Sequence, residues 1–250
     1  MTPIPELIRV EADGPVRAAF STRRGGTSGD EYASLNLGRQ TDTPSRVWAN
    51  RRAVCEAMGA DPAHAAMLTQ VHGARLHRVG RAPTRAGGVN GFDGWPEADG
   101  LVTDVPGRLL IVLAADCLPV LLWRRDTPRV AAVHAGWRGM VDGVVEEGVR
   151  SLGDPACTAA ALGPAIGPCC YPVSDDVRRR FASRFGDGVV SGRAVDLAAS
   201  ATMALTSAGV PAEAIARYGG CTSCDGGRFF SHRASGGAAG RQAGLIMIVP

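Results

Sequence analysis

A chain of 250 residues whose 27 basic side chains are all arginine has no lysine to form a Schiff base or to serve a P-loop. Its net charge of +3 is small, and a hydrophobic fraction of 45% with 20% charged residues describes a protein that buries a real core, in one large domain or two small ones. Seven cysteines, an odd number, follow an N-terminus (MTPIPELIRV) without the basic start and apolar core of a signal peptide. A disulfide scaffold is therefore disfavoured against buried thiols, metal ligands or a reactive thiol. No run is long enough to span a bilayer, and a cytoplasmic location is expected.

Residues 1–16 read as an irregular arm or short edge strand, and Val16 to Ser21 as a strand. The Gly-rich loop Thr22 to Ser28 carries Arg23 and Arg24 and is either an anion cradle or a solvated turn. Pro44 to Met58 is predicted helical, started by Pro and ended by Gly59, with Asn50, Arg51 and Arg52 expected in solvent. Met67 to Val79 alternates as a strand does, with a slip at Gly73 that suits a bulge re-aiming His72. Residues 80–97 read as a long lid or binding loop. Ala98 to Thr103, Leu109 to Ala114, Val120 to Trp123, Val130 to Val133 and Ala159 to Leu162 are apolar enough to be strands covered on both faces. Met140 to Leu152, Asp175 to Phe185 (capped by Ser174), Leu197 to Ala208 (capped by Asp196) and Pro211 to Tyr218 read as helices, and Ala243 to Val249 as a last strand. With no repeat and no linker, one mixed α/β domain is the simplest arrangement.

Three residues, His72, Cys117 and His134, each stand where a predicted strand meets a Gly- or Pro-containing turn. Strand ends of an α/β sheet converge on one rim. One thiolate and two imidazoles supply three ligands and leave a fourth position open, the pattern of catalytic rather than structural zinc. The rival reading makes Cys117 a nucleophile with His72 or His134 as its base. The turn His134-Ala-Gly-Trp-Arg138-Gly139 runs into a predicted helix and suits an anion, with Arg138 as a charged fork. Asp116 is expected to orient a ligating imidazole. Cys221-x-x-Cys224 lacks a second CxxC and reads as structural or incidental, adjacent Cys169 and Cys170 as small buried hydrophobes, and His64 and His77 as surface residues.

The segments QVHGARLHRV, ADGLVTD, LAADCLPVLL, VAAVHAGWRG, ALGPAIGPCCYPV and FFSHR…GRQAGLI, with FSTRRGGTS and SLNLG…NRR upstream, resemble the YfiH family, also called the multicopper polyphenol oxidoreductase (laccase-like) domain family. The resemblance runs over essentially the whole chain. It implies one domain over 1–250, α/β with stacked mixed sheets and helices outside, and a metal, Zn2+ or alternatively Cu2+, on His72, Cys117 and His134. It also implies purine nucleoside phosphorolysis (adenosine, inosine, guanosine, methylthioadenosine) with adenosine deamination. The alternatives are hydrolytic editing of a peptidoglycan precursor, polyphenol oxidation, and a non-catalytic binding protein with a structural metal. Five histidines are too few for the several clusters of a multicopper oxidase. For phosphorolysis, Cys117, His72, His134 and Arg138 are the expected catalytic residues. Arg51, Arg138 and Arg233 are candidate phosphate clamps, and Asn36 and Gln70 substrate hydrogen-bonders or loop-stabilising amides. Members often carry two arginines where Ser231-His232-Arg233-Ala234-Ser235 has one. The expected partners are a purine nucleoside and phosphate, with no nucleic acid and no membrane, in a monomer or homodimer.

Overall fold

The computed structural model describes residues 4–39, 42–81 and 94–250. Most of the expected loop 80–97 lies outside them. Two sheets stack face to face. The first has the order β1 (Leu7–Val10), β2 (Val16–Ser21), β13 (Gln242–Ile248), β6 (Leu109–Ala114) and β3 (Ala65–Ala66). The second runs β12 (Ile215–Arg217), β9 (Thr158–Leu162), β7 (Leu118–Arg124), β8 (Val130–Ala135), β5 (Gly100–Thr103) and β4 (Leu76–Arg78). β10 (Val190–Ser191) and β11 (Ala194–Val195) form a separate small pair.

The period-2 alternation of side chains sorts each strand between two apolar layers. In β7, Val120 and Leu122 join the layer under the helices, while Leu121 and Trp123 join Phe20, Val112 and Ile246 between the sheets. The helix-side layer packs α2 (Trp137–Asp142), α3 (Val144–Leu152), α4 (Asp175–Phe185) and α5 (Leu197–Ser207) on the second sheet. The outer face of the first sheet, with Ile111, Leu245 and Met247, is covered by Val54, Cys55 and Met58 of α1 (Pro44–Met58). The result is a helix–sheet–sheet–helix stack, the mixed α/β domain that the apolar runs require. Among the described residues no helix is long and apolar enough to cross a membrane.

Several local expectations need correction. The segment before β4 is not a strand: Gln70 to Gly73 turn because the Asp99 carboxylate captures the N–H groups of Val71, His72 and Gly73, at 3.2, 2.9 and 2.7 Å. The predicted helix from Met140 is two helices broken at Gly143, whose φ of 89° ends one and caps the next. Pro211 to Tyr218 gives one 3-10 turn and then β12, which pairs parallel with β9. Asn50 and Arg51 are buried, not solvated: Asn50 holds the chain at Thr27, Ser34 and Asn36, while Arg51 donates Nε and Nη2 to the Leu37 carbonyl at 2.9 and 2.7 Å. Arg52 is exposed as expected.

Because Leu121 is fully buried between the two sheets, Leu121→Ala should lower unfolding free energy by about 2–5 kcal/mol. Met203→Ala, on an exposed face of α5, should stay within about 0.5 kcal/mol. Denaturant titration of both variants checks the stacked-sheet core, and equal effects would contradict it.

Candidate metal centre

Cys117 begins where β6 ends and the chain turns into β7, His134 lies within β8, and His72 stands on the Asp99-bound turn. Their ligand atoms lie within 4.8 Å of one another. The imidazoles of His72 and His134 meet edge to face with ring centroids 4.9 Å apart. Bonds of about 2.0–2.3 Å in a tetrahedron demand donor separations of about 3.3–3.8 Å, so small side-chain adjustments bring the three onto one ion. His134 and Asp99 are buried, whereas His72 is exposed, which leaves the cluster open to solvent on one side.

Asp99 orients the site. Its Oδ1 lies 2.9 Å from His134 Nδ1, which leaves Nε2 for the cluster, and it also accepts the backbone of the His72 turn. Burial raises the carboxyl's pKa, but the bonds from His134 and from the N–H groups of Gly73 and His72 outweigh it and keep Asp99 ionised below its ordinary range. Asp116, expected to hold an imidazole, does something else. Its carboxylate accepts from Thr222 Oγ1 and from the N–H of Arg233, both at 2.7 Å. The orienting role belongs to Asp99, and the sequence signal was an acid immediately preceding a buried strand.

Close approach governs the backbone. A Cβ on Gly136 would lie 2.9 Å from His72 Cδ2 and 3.3 Å from Cys117 Sγ, and one on Gly139 would lie 2.5 Å from the Gly73 carbonyl. The glycines of His134 to Gly139 thus admit the ligands, and the helix they enter, α2, spans only six residues. His72 and Asp116 hold positive φ of 61° and 87°, strain that the surrounding hydrogen bonds offset.

The electrostatics favour a thiolate. Burial opposes ionisation of Cys117, but the charge and hydrogen bond of His134, followed by those of His72, bring the thiol down to about 6. Burial likewise opposes protonation of His134, and the Cys117 thiolate with Asp99 raises it to about 9. A soft anionic sulfur beside two imidazoles fits zinc or copper, and it fits a thiolate nucleophile equally.

The other expected residues divide. Arg233 lies beside the centre, its N–H on Asp116, its Nη1 donating to the Pro172 carbonyl at 3.0 Å and its guanidinium 5.2 Å from the Tyr171 ring. Arg138 is exposed on α2, stacked on Trp137. Gln70 exchanges two 2.8 Å hydrogen bonds with the backbone of Leu113. Asn36 Oδ1 accepts from the N–H groups of Gly38 and Arg241, at 2.8 and 2.9 Å. The carbonyl of Leu37, which Arg51 holds, belongs to the residue whose N–H bonds the Arg241 carbonyl. Asn36 and Arg51 therefore brace Arg241, a residue that sequence reasoning passed over. Arg241 is largely buried yet within electrostatic reach of Cys117 and Asp116. A charge set directly before the fully buried strand β13 was the available signal. In the upstream Gly-rich loop Arg23 and Arg24 are struts on backbone carbonyls. The N–H groups of Gly26, Thr27 and Ser28 donate to Ser34 Oγ, Asn50 Oδ1 and the Ser34 carbonyl, so the donors expected to cradle an anion are engaged within the chain.

This is a rim-mounted His–Cys–His centre on a two-sheet α/β domain. The chain belongs to the multi-copper polyphenol oxidoreductase laccase family, whose sequence model matches residues 17–249. It is 39% identical over 229 residues to a purine nucleoside phosphorylase of Xylella fastidiosa, covering 86% of each chain. It is 36% identical over 248 residues to purine nucleoside phosphorylase YfiH of Escherichia coli, covering 94% of each. Crystal structures of Bacillus licheniformis YfiH (TM-score 0.92, 31% identity, 98% of this chain and 97% of that one) and Geobacillus stearothermophilus YlmD (TM-score 0.85, 31%, 99% and 100%) have the same fold.

Two outcomes follow from the geometry. In metal-stripped protein, iodoacetamide labelling of Cys117, read by peptide mass spectrometry, should fade only as pH falls through about 6, and zinc should protect it. A midpoint near the ordinary thiol value of about 8.5 would refute the thiolate assignment. Asp99→Asn should weaken zinc binding at this centre about 10–100-fold in chelator competition; unchanged affinity would remove Asp99 from its orienting role.

Proposed function

We propose that this protein is a cytoplasmic zinc-dependent purine nucleoside phosphorylase, acting on adenosine, inosine, guanosine and methylthioadenosine, with adenosine deamination as a second reaction. The observation that carries the reading is a three-donor His72–Cys117–His134 cluster with one exposed ligand, on a chain whose close relatives are named purine nucleoside phosphorylases. A zinc ion held by those three residues would supply Lewis acidity at the open side.

The remaining work falls to the chain's own side chains. Arg233 and Arg138 present guanidinium groups to solvent near the rim, suited to phosphate. Arg241 adds a fixed positive charge close to Cys117. Burial and the Cys117 charge push Tyr171 up to about 12 against the opposing Arg233, so its phenol stays protonated and is available as a hydrogen-bond donor. In phosphorolysis a phosphate oxygen joins C1′ of the ribose as the glycosidic bond breaks. Its electron pair leaves with the purine, which takes up a proton, and hydrogen-bond donors around the base stabilise that departing charge. In deamination the oxygen of water joins C6 of the purine and the exocyclic nitrogen leaves as ammonia. Asn36, Gln70 and Arg51 support the site from behind.

Polyphenol oxidation fits the donors poorly. Among the described residues, His72 and His134 are the histidines that share a cluster, while His64, His77 and His232 are exposed.

Inosine should release hypoxanthine and a ribose phosphate only when inorganic phosphate is present. Arg233→Ala should raise the KM for phosphate about 10–100-fold, the loss of a charged hydrogen bond worth about 1.5–3 kcal/mol, with metal content unchanged. Hypoxanthine release without phosphate would replace phosphorolysis by hydrolysis, and no release from any purine nucleoside would overturn the proposal.

A further inference from the structure

Away from the His–Cys–His centre, four cysteines come together from two loops. One loop follows β9 and carries Cys169 and Cys170; the other follows β12 and carries Cys221 and Cys224. β9 and β12 are parallel neighbours, and their pairing continues past the strand ends through a bridge between Ala165 and Cys221. The two loops are therefore delivered side by side. All four Sγ atoms lie within 4.8 Å of one another, with Cys224 at 3.5 Å from Cys169 and 3.4 Å from Cys170.

Those spacings discriminate between the fates open to clustered thiols. A disulfide needs sulfurs about 2.05 Å apart. Four thiolates around one ion at about 2.3 Å stand about 3.8 Å from each other. Simple burial does not explain the cluster, because Cys169 and Cys224 are exposed. The expectation that Cys169 and Cys170 serve as small buried hydrophobes fails for Cys169, which is exposed, whereas Cys170 is half-buried against the helix-side core. Backbone support is also in place: the Gly167 N–H donates to Cys221 Sγ at 3.2 Å, and a Cβ on Gly167 would crowd both Cys169 and Cys221 at 3.3 Å.

We propose that Cys169, Cys170, Cys221 and Cys224 bind one zinc ion in a tetrathiolate structural site, separate from the His72–Cys117–His134 centre. With four protein ligands the ion has no open position, so its work is to fasten the two loops. Of the two residues between its C-terminal ligands, Thr222 is fully buried, its hydroxyl donating to Asp116 at 2.7 Å and its N–H to the Ala165 carbonyl at 3.0 Å. The clip thereby holds the partner of the strained residue that precedes Cys117.

The test is metal stoichiometry and spectroscopy on protein purified anaerobically with reductant. Wild type should hold about two zinc ions per chain, and Cys117→Ala and the double variant Cys221→Ser/Cys224→Ser about one each. Cobalt-loaded Cys117→Ala should show the intense sulfur-to-cobalt charge transfer of a tetrahedral tetrathiolate. The double variant should lose that signature and melt at lower temperature. Should the double variant fail to fold, the cobalt spectrum of Cys117→Ala decides alone. No cobalt–thiolate band in that protein, or a Cys170–Cys224 or Cys221–Cys224 disulfide found by peptide mapping, would overturn the site.

Discussion

The carboxylate of Asp99 is the constraint on which the centre depends. It is wholly buried, and a charge there would be very costly without partners. It finds them in three successive N–H groups of the turn Val71 to Gly73 and in the ring of His134. The same residue joins the backbone ladder, its carbonyl accepting the His134 N–H at 2.7 Å and its own N–H reaching the Arg75 carbonyl at 2.9 Å. One side chain thus fixes the orientation of one ligand and the backbone position of another. Satisfying a buried anion and assembling a metal centre are here a single structural problem.

The second requirement is proximity. His72, Cys117 and His134 arrive from separate elements, and their donors converge only because Gly136 and Gly139 carry no Cβ. Strain at His72 and Asp116 is the local cost, each residue being held at positive φ by hydrogen bonds from outside its own turn. Asp116 is restrained by Thr222 and Arg233, both from the last quarter of the chain. Residues distant in sequence therefore tighten the turn that presents Cys117.

Most strands and the three candidate donors were legible in the sequence, because each strand, and each donor at a strand's mouth, rests on short-range pattern. Short, uninterrupted apolar runs such as Leu109–Ala114 suit a sheet interior, and a thiol or imidazole at the mouth of such a run is placed where strand ends converge. What the sequence concealed depends on partners far along the chain. Met67 to Val79 alternates like a strand, but a carboxylate at position 99 outbids strand pairing for its N–H groups. Arg51 sits on a helix face that reads as solvated until the Leu37 carbonyl is brought against it. Arg241 looks like an ordinary charge before a strand, and only the Asn36 loop shows why it is held near Cys117. The four-cysteine cluster is the plainest case. Neither the adjacent pair nor the lone CxxC carries a metal signature, and the parallel pairing of β9 with β12 is what unites them.

A His–Cys–His donor set is also one that copper uses in electron-transfer sites, with a weak axial ligand completing the environment. The surroundings here argue for another chemistry. Electron transfer is served by burying the metal and by a second redox group within reach, whereas His72 is exposed and the other three histidines lie on the surface, outside the donor clusters found among the described residues. What surrounds the centre instead is positive charge and a protonated phenol, from Arg233, Arg241 and Tyr171. Such groups do little for an electron on its way through. They suit a reaction in which an anion enters and a second anion leaves, and that is the requirement that phosphorolysis of a glycosidic bond imposes.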